Sequence, residues 1–151
     1  IIWKDRDCDD HFIFEVLKFK IKNTAKYTEK KQRFVGWENE VRYMRICQIL
    51  IDRIQNEYYQ SEHFDYHDFD INFVPTKNDL YEAVFDVKRD DTDQYVKKYP
   101  HALRRAKKDP RFKNYFNGER NGYLAVGIIR HEKAKKLLFK ILEQRIEHWW
   151  D

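Results

Sequence analysis

The chain is predicted to be mainly α: an antiparallel helical hairpin packed on a long C-terminal helix, with an irregular middle segment that leaves room for short strands. Three observations predict it. Two long stretches near the front, about 10–33 and 37–60, carry apolar residues at helical spacing. The stretch from Arg130 to Asp151 reads as another amphipathic helix, closing on Trp149-Trp150-Asp151. Only 4 glycines and 3 prolines punctuate 151 residues, so the chain is built of long elements rather than many turns.

Residues 1–9 form a leader rich in aspartate, and Asp9 or Asp10 is placed to cap the first helix, where acids suit the positive end of the dipole. That helix carries Ile13, Val16, Leu17, Phe19 and Ile21 as its apolar positions, with Phe12 and Phe14 beside them. Lys18, Lys20, Lys22 and Lys26 cover or flank the other face, and the polar run 28–33 can fray. Gly36 breaks the pattern. The second helix opens on Trp37-Glu38-Asn39-Glu40 and has the cleanest spacing in the chain, with Tyr43, Cys47, Leu50, Ile54 and Tyr58 in one stripe and Val41, Met44 and Ile51 widening it.

Helical periodicity is lost over 61–91. Phe69, Ile71 and Phe73 alternate, as does part of 80–87, which predicts a small hairpin or an extended loop packed on the helices; a short helix over 79–87 is the competing reading. Asp90, Asp91 or Thr92 can cap a short helix reaching Lys98. Pro100 fits the first position of a new helix, expected over 100–108 and ended by Asp109-Pro110. Asn117-Gly118 and Asn121-Gly122 are turn signals, and the last helix is expected from near Tyr123 to Trp150, with Gly127 as a potential break. One domain spans 1–151 on this reading: a helical hairpin over 10–60, an irregular or short-strand excursion over 61–91, a basic segment over 92–122 and the C-terminal helix over 123–151.

Composition bounds the function. Charged residues make up 37% against a usual ~25%, so long helix faces must be solvated. An aromatic share of 17% argues against disorder. Cys8 and Cys47 are the only cysteines, as suits a reduced compartment, and Cys47 falls in a core stripe. No run of 18 apolar residues exists, so no membrane partner is expected. The first residue is Ile1 rather than Met, as expected of a piece of a longer product. There is no Gly-rich phosphate loop, nucleophile elbow or Cys-rich zinc pattern, and no cofactor is called for.

Two clusters remain. His63, Asp65, His67 and Asp68 offer metal-ligand chemistry: on a helix the two histidines would share a face, and the acids supply hard oxygens. The zincin spacing needs a glutamate where Phe64 stands, and an acidic aromatic loop over the core explains the same residues. The second cluster is basic. Between Lys97 and Lys113 lie Lys97, Lys98, Arg104, Arg105, Lys107, Lys108, Arg111 and Lys113 against Asp109 alone; eight cations less one acid leave a surplus of seven, more than the +4 of the whole chain. Tyr95, Tyr99, Phe112, Tyr115 and Phe116 interleave. Exposed cations and aromatics serve phosphate contact and base stacking, and the same patch serves an acidic protein surface equally well; a solvated helix face whose aromatics turn inward explains the same residues. The tryptophan tail reads as an indole closing the core, or else as an interface anchor.

Three segments carry a resemblance: Phe14-Glu15-Val16-Leu17-Lys18-Phe19-Lys20-Ile21; Glu40-Val41-Arg42-Tyr43 through Ile49-Leu50-Ile51-Asp52-Arg53-Ile54; and His131-Glu132 through Leu138-Phe139-Lys140 to His148-Trp149-Trp150-Asp151. Together they resemble a group of small helical bacteriophage-encoded proteins with a C-terminal Trp-Trp-Asp helix. The likeness touches both ends and skips roughly 60–120, and this chain departs from the group in its basic insert at 97–113. It implies a phage gene expressed in the bacterial host cytoplasm, or a component of the virion. The group has no assigned activity, and no functional residue carries over.

The leading expectation is a small non-enzymatic accessory protein that binds host or phage protein machinery, or nucleic acid, through the 97–113 surface. A metal-dependent, nuclease-like enzyme using His63, Asp65, His67 and Asp68 is the alternative. A structural subunit of a phage particle is the third.

Overall fold

The structure is a computed structural model and describes residues 10–32, 34–77, 80–116 and 122–149. In chain order come α1 (Asp10–Lys31), α2 (Trp37–Gln55), α3 (Tyr58–Ser61), a 3-10 turn (Glu62–Tyr66), β1 (His67–Pro75), β2 (Tyr81–Asp90), α4 (Thr92–Lys98), α5 (Pro100–Lys108), a second 3-10 turn (Pro110–Phe116), α6 (Gly122–Arg145) and a last 3-10 turn (Ile146–Trp149). The fold is mainly α with one two-stranded sheet. Where the sequence reads as one helical domain, the contacts gather into two compact units: Ile1–Tyr58 with Glu132–Asp151, and Tyr59–His131. α6 contributes its first turns to the second unit and the rest to the first. Among the described residues no helix is long and apolar enough to cross a membrane.

In the first unit α1 and α2 run antiparallel. Three side-chain pairs give the direction, because one number rises as the other falls: His11 with Gln55, Lys18 with Asp52, Glu29 with Arg45. The buried positions of α1 are Phe14, Ile21, Ala25 and Thr28, a stripe at spacings of seven, four and three. Ile13, Val16 and Phe19, expected in the core, are 58%, 42% and 62% exposed. At 100° per residue they are rotated away from the Phe14–Ile21 line, so one apolar helix cannot bury both sets against a single partner. On α2 most of the predicted stripe is buried, namely Val41, Met44, Cys47, Leu50, Ile51 and Ile54, while Tyr43 is half-buried. Burial pushes the Cys47 thiol up to about 12, which leaves it unreactive at neutral pH.

α2 stops at Gln55 rather than near 60. Asn56 N–H closes on the Asp52 carbonyl, and Glu57 turns left-handed with φ 49°. Tyr58 therefore leaves the stripe and lies under the Arg53 guanidinium, 4.9 Å from its ring centre. At the other end Gly36 takes φ 87° as the N-cap, a conformation that favours glycine. The C-terminal half of α6 adds Ala134, Leu138, Ile141 and Leu142 to this core, and Phe139 meets Phe14 with ring centres 6.4 Å apart. Trp149 is buried, as the core reading of the tail expects; Trp150 and Asp151 lie outside the described residues.

The second unit has its own apolar centre, where Ala106 of α5, Phe112 of the second 3-10 turn, and Ala125 and Ile129 of α6 meet. Ala102, Tyr115, Phe116 and Ile128 pack against it. Gly127 does not interrupt α6: a Cβ there would stand 2.9 Å from the Tyr59 carbonyl oxygen, so glycine serves close approach to α3. α4 and α5 lie where the sequence puts them, and Pro100 occupies the start of α5. Asp91 is the N-cap of α4 without a side-chain hydrogen bond of its own, and Asp90 before it accepts from the Thr92 N–H at 3.2 Å and the Thr92 hydroxyl at 2.6 Å. The Asn117-Gly118 turn and Asn121 fall outside the described residues.

Alternation wins over the helical reading of 79–87. β1 and β2 pair antiparallel from Pro75↔Tyr81 to His67↔Asp90, with an irregularity between Asp68 and Phe69. The hairpin is not packed on the helices as expected. Every residue of β2 is exposed, as is β1 from Asp70 onward.

Candidate functional site

α5 divides cleanly by face. Ala102, Leu103 and Ala106 turn inward. His101, Arg104, Arg105 and Lys108 are exposed at spacings of three, one and three, and so form one stripe along the opposite side. Lys107 is exposed beside the stripe, and Lys97 and Lys113 are exposed before and after the helix. Arg105, Lys107 and Lys108 also stand in the last turn, where cations offset the negative end of the helix dipole.

Two of the eight candidate cations are held by the protein's own acids. Arg111 grips Asp109 at 2.8 Å. The pairing draws the Asp109 carboxyl below its ordinary range. Lys98 Nζ donates to Glu62 Oε1 at 2.9 Å and to the Tyr66 hydroxyl at 3.2 Å; these bonds push its ammonium pKa up. Lys97, Arg104, Arg105, Lys107, Lys108 and Lys113 form no ion pair among the described residues. The aromatics go the other way. Tyr95 and Phe112 are buried, and Tyr99, Tyr115 and Phe116 are half-buried. Burial takes Tyr95 and Phe112 out of the basic-aromatic surface expected from sequence, while Tyr115 and Phe116 line a cleft beside Lys107.

What presents α5 is a polar cluster that the sequence reading missed. Glu62 is 6% exposed. Its Oε1 accepts from the Tyr99 hydroxyl at 2.6 Å as well as from Lys98, and its Oε2 meets Arg130 Nη1 at 2.5 Å. Burial pushes the Glu62 carboxyl up; the bonds from Tyr99, Lys98 and Arg130 outweigh it and leave the pKa below its ordinary value. Arg130 also donates to the Tyr95 hydroxyl at 2.9 Å and lies over the Tyr99 ring, 3.6 Å from its centre. The Tyr95 hydroxyl in turn donates to the Tyr59 carbonyl at 3.3 Å. Tyr99 immediately precedes Pro100, so this cluster fixes the chain at the point where α5 begins. A lone glutamate and a lone arginine 68 positions apart give no sequence signal; only folding pairs them.

The metal alternative is not assembled. His63 and His67 do not share a helix face, for one lies in a 3-10 turn and the other opens β1. His63 Nδ1 is 2.6 Å from the Gln60 carbonyl, and its ring lies between Phe64 and Tyr123, at 4.3 and 4.6 Å. Burial pushes its pKa down. Asp65 and Asp68 are exposed. Among the described residues no three His, Cys, Asp or Glu side chains converge as a metal site would require. No family model matches this chain, and no curated protein or solved structure is significantly similar to it.

Proposed function

We propose that this chain is a small binding module that docks on the phosphate backbone of nucleic acid through the α5 surface. The observation that supports it is the set of six exposed cations on and beside one nine-residue helix, none of them in an ion pair among the described residues, with a buried anchor at the helix start. Exposed cations that meet phosphates displace the counterions condensed there, and that release drives association. With Tyr95 and Phe112 buried and the other aromatics half-buried, recognition rests first on backbone charge and shape. The resemblance to small bacteriophage proteins favours an accessory role in an infected bacterial cytoplasm, on phage or host nucleic acid.

Fluorescence anisotropy with a labelled duplex, a single strand and an acidic peptide tests this reading. Duplex binding should fall about a hundredfold between 50 and 200 mM salt if about four phosphates are engaged. Reversing Arg104 and Arg105 to Glu should abolish it. Unchanged affinity in that variant overturns the reading. Tighter binding to the acidic peptide than to the duplex replaces it with an acidic protein partner.

A further inference from the structure

The β1–β2 ribbon has two unlike faces. Directly paired residues share a face, so Phe69↔Val87, Ile71↔Phe85, Phe73↔Ala83 and Pro75↔Tyr81 make one side apolar and uncharged over these four pairs, with His67↔Asp90 following only at the base of the ribbon. The rows between them, Asp70↔Asp86, Asn72↔Val84 and Val74↔Glu82, make the other side acidic and mixed, with Lys88 neutralising Asp70 at 2.5 Å. The apolar face lies open: Phe73 is 68% exposed, Tyr81 69% and Phe85 60%. A contiguous apolar patch of this kind is not an ordinary soluble surface, and a two-stranded ribbon alone is marginally stable in water.

We propose that this face is where two copies of the chain stack, ribbon on ribbon, about a two-fold axis. The face demands a complement that is apolar, uncharged and about as long as itself, and the chain displays that complement on every other copy. Stacked face to face, two ribbons form a two-layer sandwich about 10 Å thick, with Asp70, Glu82 and Asp86 left outward in water. The competing mode, antiparallel pairing of two β2 edges centred on Val84, would set Glu82 of one copy opposite Asp86 of the other, a like-charge contact. Acids on the outer face likewise disfavour an anionic bilayer. The exposed aromatic and aliphatic side chains amount to on the order of 500 Å² per copy, about 1,000 Å² for the pair, which reaches the lower limit of a specific interface.

Sedimentation of the full chain from about 1 to about 100 µM tests the proposal, since a dimer must follow mass action. A monomer–dimer equilibrium is expected. Phe85→Glu and Phe73→Glu should weaken it at least tenfold. Val84→Glu, on the outer face, should leave it unchanged. A monomer throughout the range, a dimer indifferent to Phe85→Glu, or equal loss with Val84→Glu overturns the proposal; a monomer that co-sediments with neutral phosphatidylcholine vesicles does so too, in favour of a lipid surface. If the glutamate variants lose their helical circular dichroism, hydrogen exchange on the wild-type chain decides. Ribbon amides should gain protection with concentration, and protection independent of concentration rejects the stack.

Discussion

Glu62 and Arg130 meet at 2.5 Å with side chains 4% and 12% exposed, the most deeply buried ion pair among the described residues. Removing one member of such a pair strands the other charge in the interior. Arg130→Met or Glu62→Ala should cost about 3–5 kcal/mol in urea denaturation. The double variant Glu62→Leu/Arg130→Met should recover most of that loss, because it leaves no orphaned charge. Lys98→Ala should cost much less than either single variant, since the Lys98 side chain is half exposed and screened by water.

Stability should fall in two acid steps. His63 is buried; burial depresses its pKa below the ordinary 6.5, the Gln60 carbonyl partly opposes this, and His67 adds to it. The unfolded chain then takes the proton first, so stability is full above about pH 6.5 and declines as pH falls from there toward the folded pKa. The second step belongs to Glu62. Its folded pKa lies below the ordinary 4.5, so its contribution is full above that value and is lost as pH falls through the folded one. Thermal midpoints from pH 8 to 3 should show both declines, and His63→Phe should remove the first alone.

The two informative glycines should respond differently to alanine. At Gly127 the added Cβ meets backbone, with the Tyr59 carbonyl oxygen at 2.9 Å and Gln60 Cα at 3.3 Å, so α3 and α6 must move apart. A loss of about 1–3 kcal/mol is expected despite the ~1 kcal/mol that alanine gains in helix propensity. At Gly36 nothing lies within 4 Å, and φ 87° alone opposes a side chain. Gly36→Ala should cost about 1–2 kcal/mol, and Gly36→Asn, which tolerates that conformation, should cost less.

Glu40 ties the end of the chain to α2. It accepts from Arg145 Nη1 at 2.9 Å and from Trp149 Nε1 at 2.8 Å. Trp149→Phe, which keeps an aromatic ring and loses the donor, should cost about 1–3 kcal/mol, and Trp149→Ala about 3–5 kcal/mol. Glu38→Ala, at an exposed position two residues before Glu40, should change stability by less than about 0.5 kcal/mol. Chemical denaturation of the three variants checks the order.

Local signals decided the elements. Spacing along α2 marked all six of its buried apolar side chains, though Tyr43 and Tyr58 of the same stripe stay open in part, and Pro100 with Asp109-Pro110 bounded α5, because a helix face and a proline act within a few residues of themselves. The same locality made the charge surplus of 97–113 legible. What sequence could not decide was direction. Apolar residues surround much of α1, so whether Phe14 or Val16 faces inward depends on the helix it meets. Alternation in 69–87 announced a hairpin but not that its apolar side would lie open, and interleaved aromatics did not say that Tyr95 and Phe112 would be buried under the cations. Glu62 and Arg130 became partners only when α6 came back beside the 3-10 turn, since Coulomb attraction and burial act through space and leave no spacing to read along the chain.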